Sequence, residues 1–271
     1  MLRLLDYPFF VYALIGVVLI SFSAAIIGTY IISRRLVAIS GGVTHSCFGG
    51  LGLGYFLGIS PVVMAAVFAI GSSIGVEWAS SRFRIREDSA IAVIWALGMA
   101  VGVLFVFMTP GYVPELNSFL FGNILTISIA DLWAFAIYTA VLCVFFAVGY
   151  KYIVACAFDR DFAMVIGLPA RLISYVMTVF VAVGIVLTIR LVGVMLLMSM
   201  LSLPIMTAEV FCRRYGSIMA VSAVVSVICS LAGLFIGAVA DIPCSAFIVL
   251  INVGVFIFAK LISFVFHAQH I

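Results

Sequence analysis

Charge is what this sequence has least of. Only 8% of its 271 residues are Asp, Glu, Lys or Arg, and only two of them are lysines, Lys151 and Lys260. Soluble globular domains carry roughly 25% charged residues, whereas 67% of this chain is apolar. No stretch has the polar surface that a soluble domain requires. The composition therefore predicts a membrane protein that crosses the bilayer many times.

Several site patterns are also missing, and each absence excludes a class of function. The phosphate-binding loop GxxxxGK[ST] and the zinc motif HExxH do not occur, so we expect no enzyme activity and assign any ATP hydrolysis to a separate chain. The six cysteines form no CxxC pair, which favours buried thiols over a disulfide framework. The net charge of +3 reflects membrane topology, and no nucleic-acid partner and no permanently bound cofactor are expected.

What the chain has in abundance is uncharged sequence. A membrane-spanning helix needs about 20 apolar residues, and 36–76 is long enough to cross twice, with a natural break at 58–61. Arg190 interrupts 172–208, which predicts an outer turn, a snorkelling position or a solvated helix end there. We therefore predict an all-α, polytopic helical bundle of eight or nine spans, forming one domain over residues 1–271. The uncharged runs include 7–33, 36–76, 89–114, 132–150, 172–189, 191–208, 215–240 and 242–259.

Basic residues set the expected orientation. They cluster at 34–35, 82–86, 151–171 and 213–214, whereas the loop 110–130 has neither Lys nor Arg. The positive-inside rule puts the basic clusters in the cytoplasm and that loop outside. Nine spans would leave the N-terminus outside, and eight would require a re-entrant segment, for which the glycine-rich 49–58 is suitable.

The charged island 151–171 carries the clearest local signals. Asp159 or Asp161 can cap a short helix, and Gly167 followed by Leu168-Pro169 stops it. Between these signals, apolar residues recur at helical spacing. The pattern predicts a short cytoplasmic helix near 158–168, either a docking element for a soluble partner or a plain connector.

Several stretches, in order along the chain, resemble one family. FDRDFAMVIGLPAR (158–171), together with the run ending in IRLVGVMLLMSMLSLPIMTA (189–208), is similar to the membrane permeases of bacterial ABC importers for zinc, manganese and iron. RRLVAISGGVTHSCFGGLGLGYFLG (34–58), REDSAIAVIWALGMAVGVLF (86–105), LFGNIL (120–125) and DIPCSAFIVL (241–250) resemble further segments of these permeases.

The resemblance implies a permease of the bacterial inner membrane. It implies that two copies of the chain form a homodimer, that their cytoplasmic loops bind a dimer of ATPase subunits, and that an extracytoplasmic metal-binding protein delivers the cargo. The cargo would be a divalent cation: zinc, manganese or iron.

The resemblance also gives the residues of the island their roles. Phe158 and Phe162 would anchor the ATPase contact, and Gly167 and Pro169 would hold the helix at a fixed angle to the next span. The register of the contact would be set by three charged residues, Asp159, Arg160 and Asp161.

His45 is the first candidate metal ligand, because neutral imidazole binds zinc and other first-row metals. In the family, an Asp four residues before this His is a co-ligand, which a helix would place on the same face. Here that position is Gly41, so the carboxylate is missing. His45 is expected to line the transport path, and the alternative is a structural His bonded to a backbone carbonyl.

Glu77 is the second candidate. A carboxylate at membrane depth is costly and often functional, so Glu77 could replace the missing acid. The ordinary alternative, which we favour, is an ion pair with Arg82 or Arg84.

Two further expectations depend on patterns within the spans. The glycines 49, 50, 52, 54 and 58 predict a close-packing face between helices.

An ion-coupled secondary transporter that works without an ATPase is the alternative function. That class places acidic residues near the bilayer midplane, whereas nearly all acids of this chain fall in loops or at span ends.

Overall fold

The computed structural model describes residues 6–83, 85–110, 122 and 124–268. Arg84 and most of the predicted outer loop lie outside these residues. Over the described residues the chain is helical, with nine α-helices, one 3₁₀ turn at Ile124–Thr126 and no strand. The helices are α1 (Pro8–Ser33), α2 (Val37–Leu57), α3 (Pro61–Phe83), α4 (Glu87–Met108), α5 (Ile129–Phe158), α6 (Arg160–Val165), α7 (Ala170–Phe211), α8 (Tyr215–Ala240) and α9 (Cys244–Ala268).

The predicted break in 36–76 is confirmed. Gly58 ends α2 in the left-handed conformation, with φ 67°, and its amide donates to the carbonyl of Tyr55. Pro61 then begins α3, where its fixed φ suits the first helical position.

Seven of the described helices are long and apolar enough to cross a membrane. The prediction of eight or nine spans therefore exceeds the number that length and composition support. Two features account for the difference. The helix α2 has 21 residues but is rich in glycine and carries His45, and α7 has 42 residues in one element.

The interruption in α7 lies at Gly193, with φ 80° and ψ 171°, and not at Arg190. The prediction of a turn or helix end at Arg190 is wrong, because helical backbone continues through that residue. The positive φ is a conformation that glycine adopts readily and residues with a side chain do not.

The chain divides into two compact units. The first contains the described residues of 1–32, 120–148 and 191–271, and the second those of 33–119 and 149–190. In the first unit, Gly28 of α1 lies against the backbone of Leu201, and Gly233 of α8 lies against Ile248 of α9. All of the predicted site residues belong to the second unit.

In the second unit, glycines bring α2 close to two neighbouring helices. A Cβ at Gly50 would overlap the backbone of α3 at Met64, and one at Gly52 would overlap the backbone of α4 at Gly102. Gly49 and Gly54 make similar approaches, so the predicted packing face is confirmed for these four glycines. Gly58 is the exception, because it caps α2 and a Cβ there would meet no atom within 4 Å.

Candidate functional site

The predicted short helix of the charged island is α6. Asp159 is its N-cap, with extended backbone at φ −145° and ψ 99°, and its Oδ1 accepts a 2.8 Å hydrogen bond from the amide of Phe162. This confirms Asp159 as the cap. The helix is shorter than the predicted 158–168, because Phe158 is the last residue of α5 and the cap separates the two helices.

The other end of α6 is a Schellman turn. Gly167 has φ 84°, and its amide donates to the carbonyl of Met164 at 3.1 Å. The amide of Leu168 donates to the carbonyl of Ala163 at 3.0 Å, which completes the motif. The carbonyl of Pro169 then accepts from Ile173 at 3.1 Å and starts α7. The predicted Gly-Pro stop is confirmed as a rigid turn between two helices.

The helix α6 has an outer face and an inner face. On the outer side, the end of α5 and α6 together expose a surface that we call the apolar face, made up of Phe158 of α5 (67%), Phe162 (58%), Val165 (83%) and the C-cap residue Ile166 (53%). The inner face is anchored by Ala163, which is fully buried in a small cluster that also contains Cys156, Ala170, Leu168 and Ile173. The inner contacts and both caps therefore fix the direction in which the apolar face points.

The three charged residues of the island divide between these faces. Asp159 and Asp161 are exposed, whereas Arg160 points inward and places its Nη1 2.6 Å from Oε1 of Glu77 on α3. The prediction that Glu77 pairs with Arg82 is wrong, and Arg84 lies outside the described residues. The buried stripe of α3, which includes Ser73 and Glu77, turns the Glu77 carboxylate inward.

A second ion pair lies close to the first. The Nη2 of Arg34 is 3.0 Å from Oε1 of Glu87, and its Nη1 donates to Oγ of Ser174 at 3.0 Å. Glu87 also interacts electrostatically with Glu77 and Arg160. Sequence reasoning missed this charge cluster of two arginines and two glutamates, because its members are far apart along the chain.

His45 occupies an aromatic environment. Its ring is stacked on Trp95 of α4, with centroids 4.5 Å apart and planes 8° apart, and it lies 5.7 Å from the ring of Phe48. Its Nδ1 is buried and makes no hydrogen bond within the described part of the chain. The alternative of a bond to a backbone carbonyl therefore has no support at Nδ1. No motif in the sequence pointed to Trp95 as a partner of His45.

The described residues contain no group of three or more His, Cys, Asp or Glu side chains that could hold a metal ion. His45 offers one nitrogen, Gly41 is a buried glycine, and the Glu77 carboxylate is paired with Arg160. Binding of metal by His45 or Glu77 remains a prediction.

Comparisons with known proteins agree on one class of membrane protein. The model of the ABC 3 transport family matches residues 6–263. A probable metal transport system membrane protein of Chlamydia pneumoniae is 32% identical over 229 residues, which cover 82% of this chain and 78% of the relative. A manganese transport system membrane protein of Halalkalibacterium halodurans is 26% identical over 261 residues, 96% of this chain and 89% of the relative.

A solved structure has the same fold. The structure of PsaBC from Streptococcus pneumoniae in complex with Fab contains a chain that matches with a TM-score of 0.82 and 24% identity. The match covers 96% of this chain and 95% of the other.

Proposed function

This chain belongs to the ABC 3 transport family, and from that premise we propose that it is the membrane permease of an ATP-driven importer of divalent metal ions. Manganese is the first candidate among manganese, zinc and iron, because several of its relatives are named manganese transport proteins. The chain is a multi-pass membrane protein, and we place it in the bacterial inner membrane.

The observation that carries the proposal is the capped helix α6 with its apolar face. The helix α5, which leads to it, has 30 residues and so measures about 45 Å, whereas the hydrocarbon core of a bilayer is about 30 Å thick. A helix of this length can extend beyond the lipid at its end, and the orientation from the positive-inside rule puts α6 on the cytoplasmic side. The four exposed apolar side chains, Phe158 at the end of α5 and three on α6 and its C-cap, form a surface suited to a groove on a soluble ATPase subunit.

The rest of the assembly follows from the same proposal. Two copies of the chain, each acting as one permease domain over 1–271, form the path, and two ATPase subunits bind their α6 helices. An extracytoplasmic metal-binding protein delivers the ion, and His45 contacts it in transit.

Counting α2 as a span, and the two parts of α7 on either side of Gly193 as separate spans, raises seven candidates to nine.

Reconstitution tests the proposal. The chain and its ATPase subunit are placed in liposomes with ATP inside or outside, and manganese, zinc and ferrous iron are supplied one at a time. We expect uptake of at least one ion that requires both ATP and the ATPase subunit. A matched liposome in which the ATPase carries an inactivating Walker-A substitution is the control.

Uptake that continues without ATP and without the ATPase subunit would overturn the proposal. Such uptake, driven by an imposed proton or sodium gradient, would instead support the ion-coupled secondary transporter.

A further inference from the structure

The inner face of α6 carries one charge, and that charge has a specific partner. Among the three charged residues at 159–161, only Arg160 points away from the exposed surface, with its side chain 22% exposed. Its partner, the Glu77 side chain, is 5% exposed. The contact joins the short helix α6 directly to α3, one of the long candidate spans.

The contact is electrostatic, because Oε1 of the buried Glu77 carboxylate makes no hydrogen bond within the described part of the chain. Removing one partner of a buried ion pair leaves an uncompensated charge in a medium of low polarity, which is strongly unfavourable. The Glu77 carboxylate is therefore held to the Arg160 guanidinium, and a displacement of α6 that kept the pair would move the end of α3. The adjacent pair of Arg34 and Glu87 balances the local charge.

The contact continues from α3 to the helix that carries His45. At the far end of α3, Pro61 lies against Gly54 of α2, and the backbone at Met64 lies against Gly50 of α2. These contacts are backbone to backbone, so neither helix can shift along this surface without moving the other. The structure thus provides an unbroken series of contacts from α6 through α3 to α2.

We propose that Arg160 and Glu77 are the positioning pair through which movement of α6 reaches the transport path. This inference rests on the proposed function. The two faces of α6 then have separate roles: the apolar face binds the ATPase subunit, and Arg160 passes the movement to α3. Loss of the pair should leave ATPase binding intact and reduce the number of metal ions imported for each ATP hydrolysed.

The test measures coupling in the reconstituted complex. Four forms of the chain are compared with the wild type: Glu77→Gln, Arg160→Gln, the double neutral variant with both substitutions, and the charge swap Glu77→Arg with Arg160→Glu. The readouts are ATPase co-purification, ATP hydrolysis and metal uptake. Arg171→Gln, which changes an exposed arginine close to α6 in the chain, is the matched control.

We expect about a tenfold fall in ions imported per ATP for both single variants and the double neutral variant, with normal ATPase co-purification. The charge swap should restore part of the ratio, and Arg171→Gln should retain it. If the single variants fail to accumulate in the membrane, the double neutral variant still tests the inference, because neither residue of the pair then carries a charge that lacks its partner.

A wild-type coupling ratio in the double neutral variant would overturn the inference, as would a charge swap no better than the single variants. These outcomes are distinct from failure of the proposed function, in which the wild type itself shows no ATP-dependent uptake.

Discussion

The amide of Leu168 lies 3.0 Å from the carbonyl oxygen of Ala163, and this hydrogen bond closes α6 from its C-terminal side. Ala163 is fully buried and Leu168 packs against the same cluster. The bond therefore ties the end of the helix to the core of its unit. It depends on the left-handed conformation of Gly167 between the two residues.

Gly167→Ala should destabilise this turn. A residue with a Cβ pays about 1–2 kcal/mol in the left-handed region, although a Cβ at Gly167 would meet no atom within 4 Å. We expect faster proteolysis between α6 and α7 and weaker binding of the ATPase subunit. Gly71→Ala is the control, because Gly71 lies within α3 and a Cβ there also has open space. If both variants behave alike, the conformation of Gly167 is not what holds the turn.

Asp159→Ala should loosen the start of α6. Loss of an N-cap side chain costs about 1 kcal/mol, and here it removes the 2.8 Å hydrogen bond from the amide of Phe162. Hydrogen exchange of the α6 amides should increase. Asp161→Ala is the matched control, since Asp161 is an exposed acid in the same turn that does not cap the helix. Unchanged exchange in Asp159→Ala would contradict the capping role.

Phe162→Asp should weaken binding of the ATPase subunit. The ring is exposed at the centre of the apolar face, and loss of such an interface anchor costs about 2 kcal/mol, or about thirtyfold in Kd. Titration of the ATPase subunit onto the permease in detergent measures the effect. Phe83→Asp, at an equally exposed phenylalanine that ends α3, is the control and should leave the Kd unchanged. Equal losses in the two variants would mean that the apolar face is not the binding surface.

Gly52→Ala should destabilise the packing of α2 on α4. A Cβ at Gly52 would overlap the backbone of Gly102, and such overpacking costs about 1–3 kcal/mol. Thermal unfolding in detergent should show a lower Tm. Gly75→Ala is the control, because a Cβ at Gly75 would lie at ordinary contact distance, 3.5 Å from Ile94. A Tm as high as that of the control would show that the two helices can separate without loss.

His45→Ala should lower metal uptake at limiting metal without changing ATPase binding. The imidazole is a possible metal ligand in α2, whereas the nearby Cys47 is buried and its thiol donates to the carbonyl of Val43. Cys47→Ala is therefore the control. Uptake by His45→Ala equal to that of the control at every metal concentration would make His45 a packing residue beside Trp95.

The ends of α6 could be predicted from the sequence because each depends on neighbouring residues. Asp159 caps the helix through an amide three residues away, and Gly167 ends it by its own backbone conformation. The break before Pro61 was predictable for the same reason. Local signals were less reliable for the length of a helix and for the position of a break within one. The helix α6 is shorter than predicted, and the interruption of α7 is at Gly193 and not at Arg190.

The sequence by itself determined that this chain is a helical membrane protein with a short, capped helix between long spans, because scarcity of charge and local capping require no knowledge of distant residues. Only the tertiary structure decided which side chains contact one another. It paired Glu77 with Arg160 and stacked His45 on Trp95. These contacts depend on which helices pack together and how each is rotated, and residues far apart in the chain determine both.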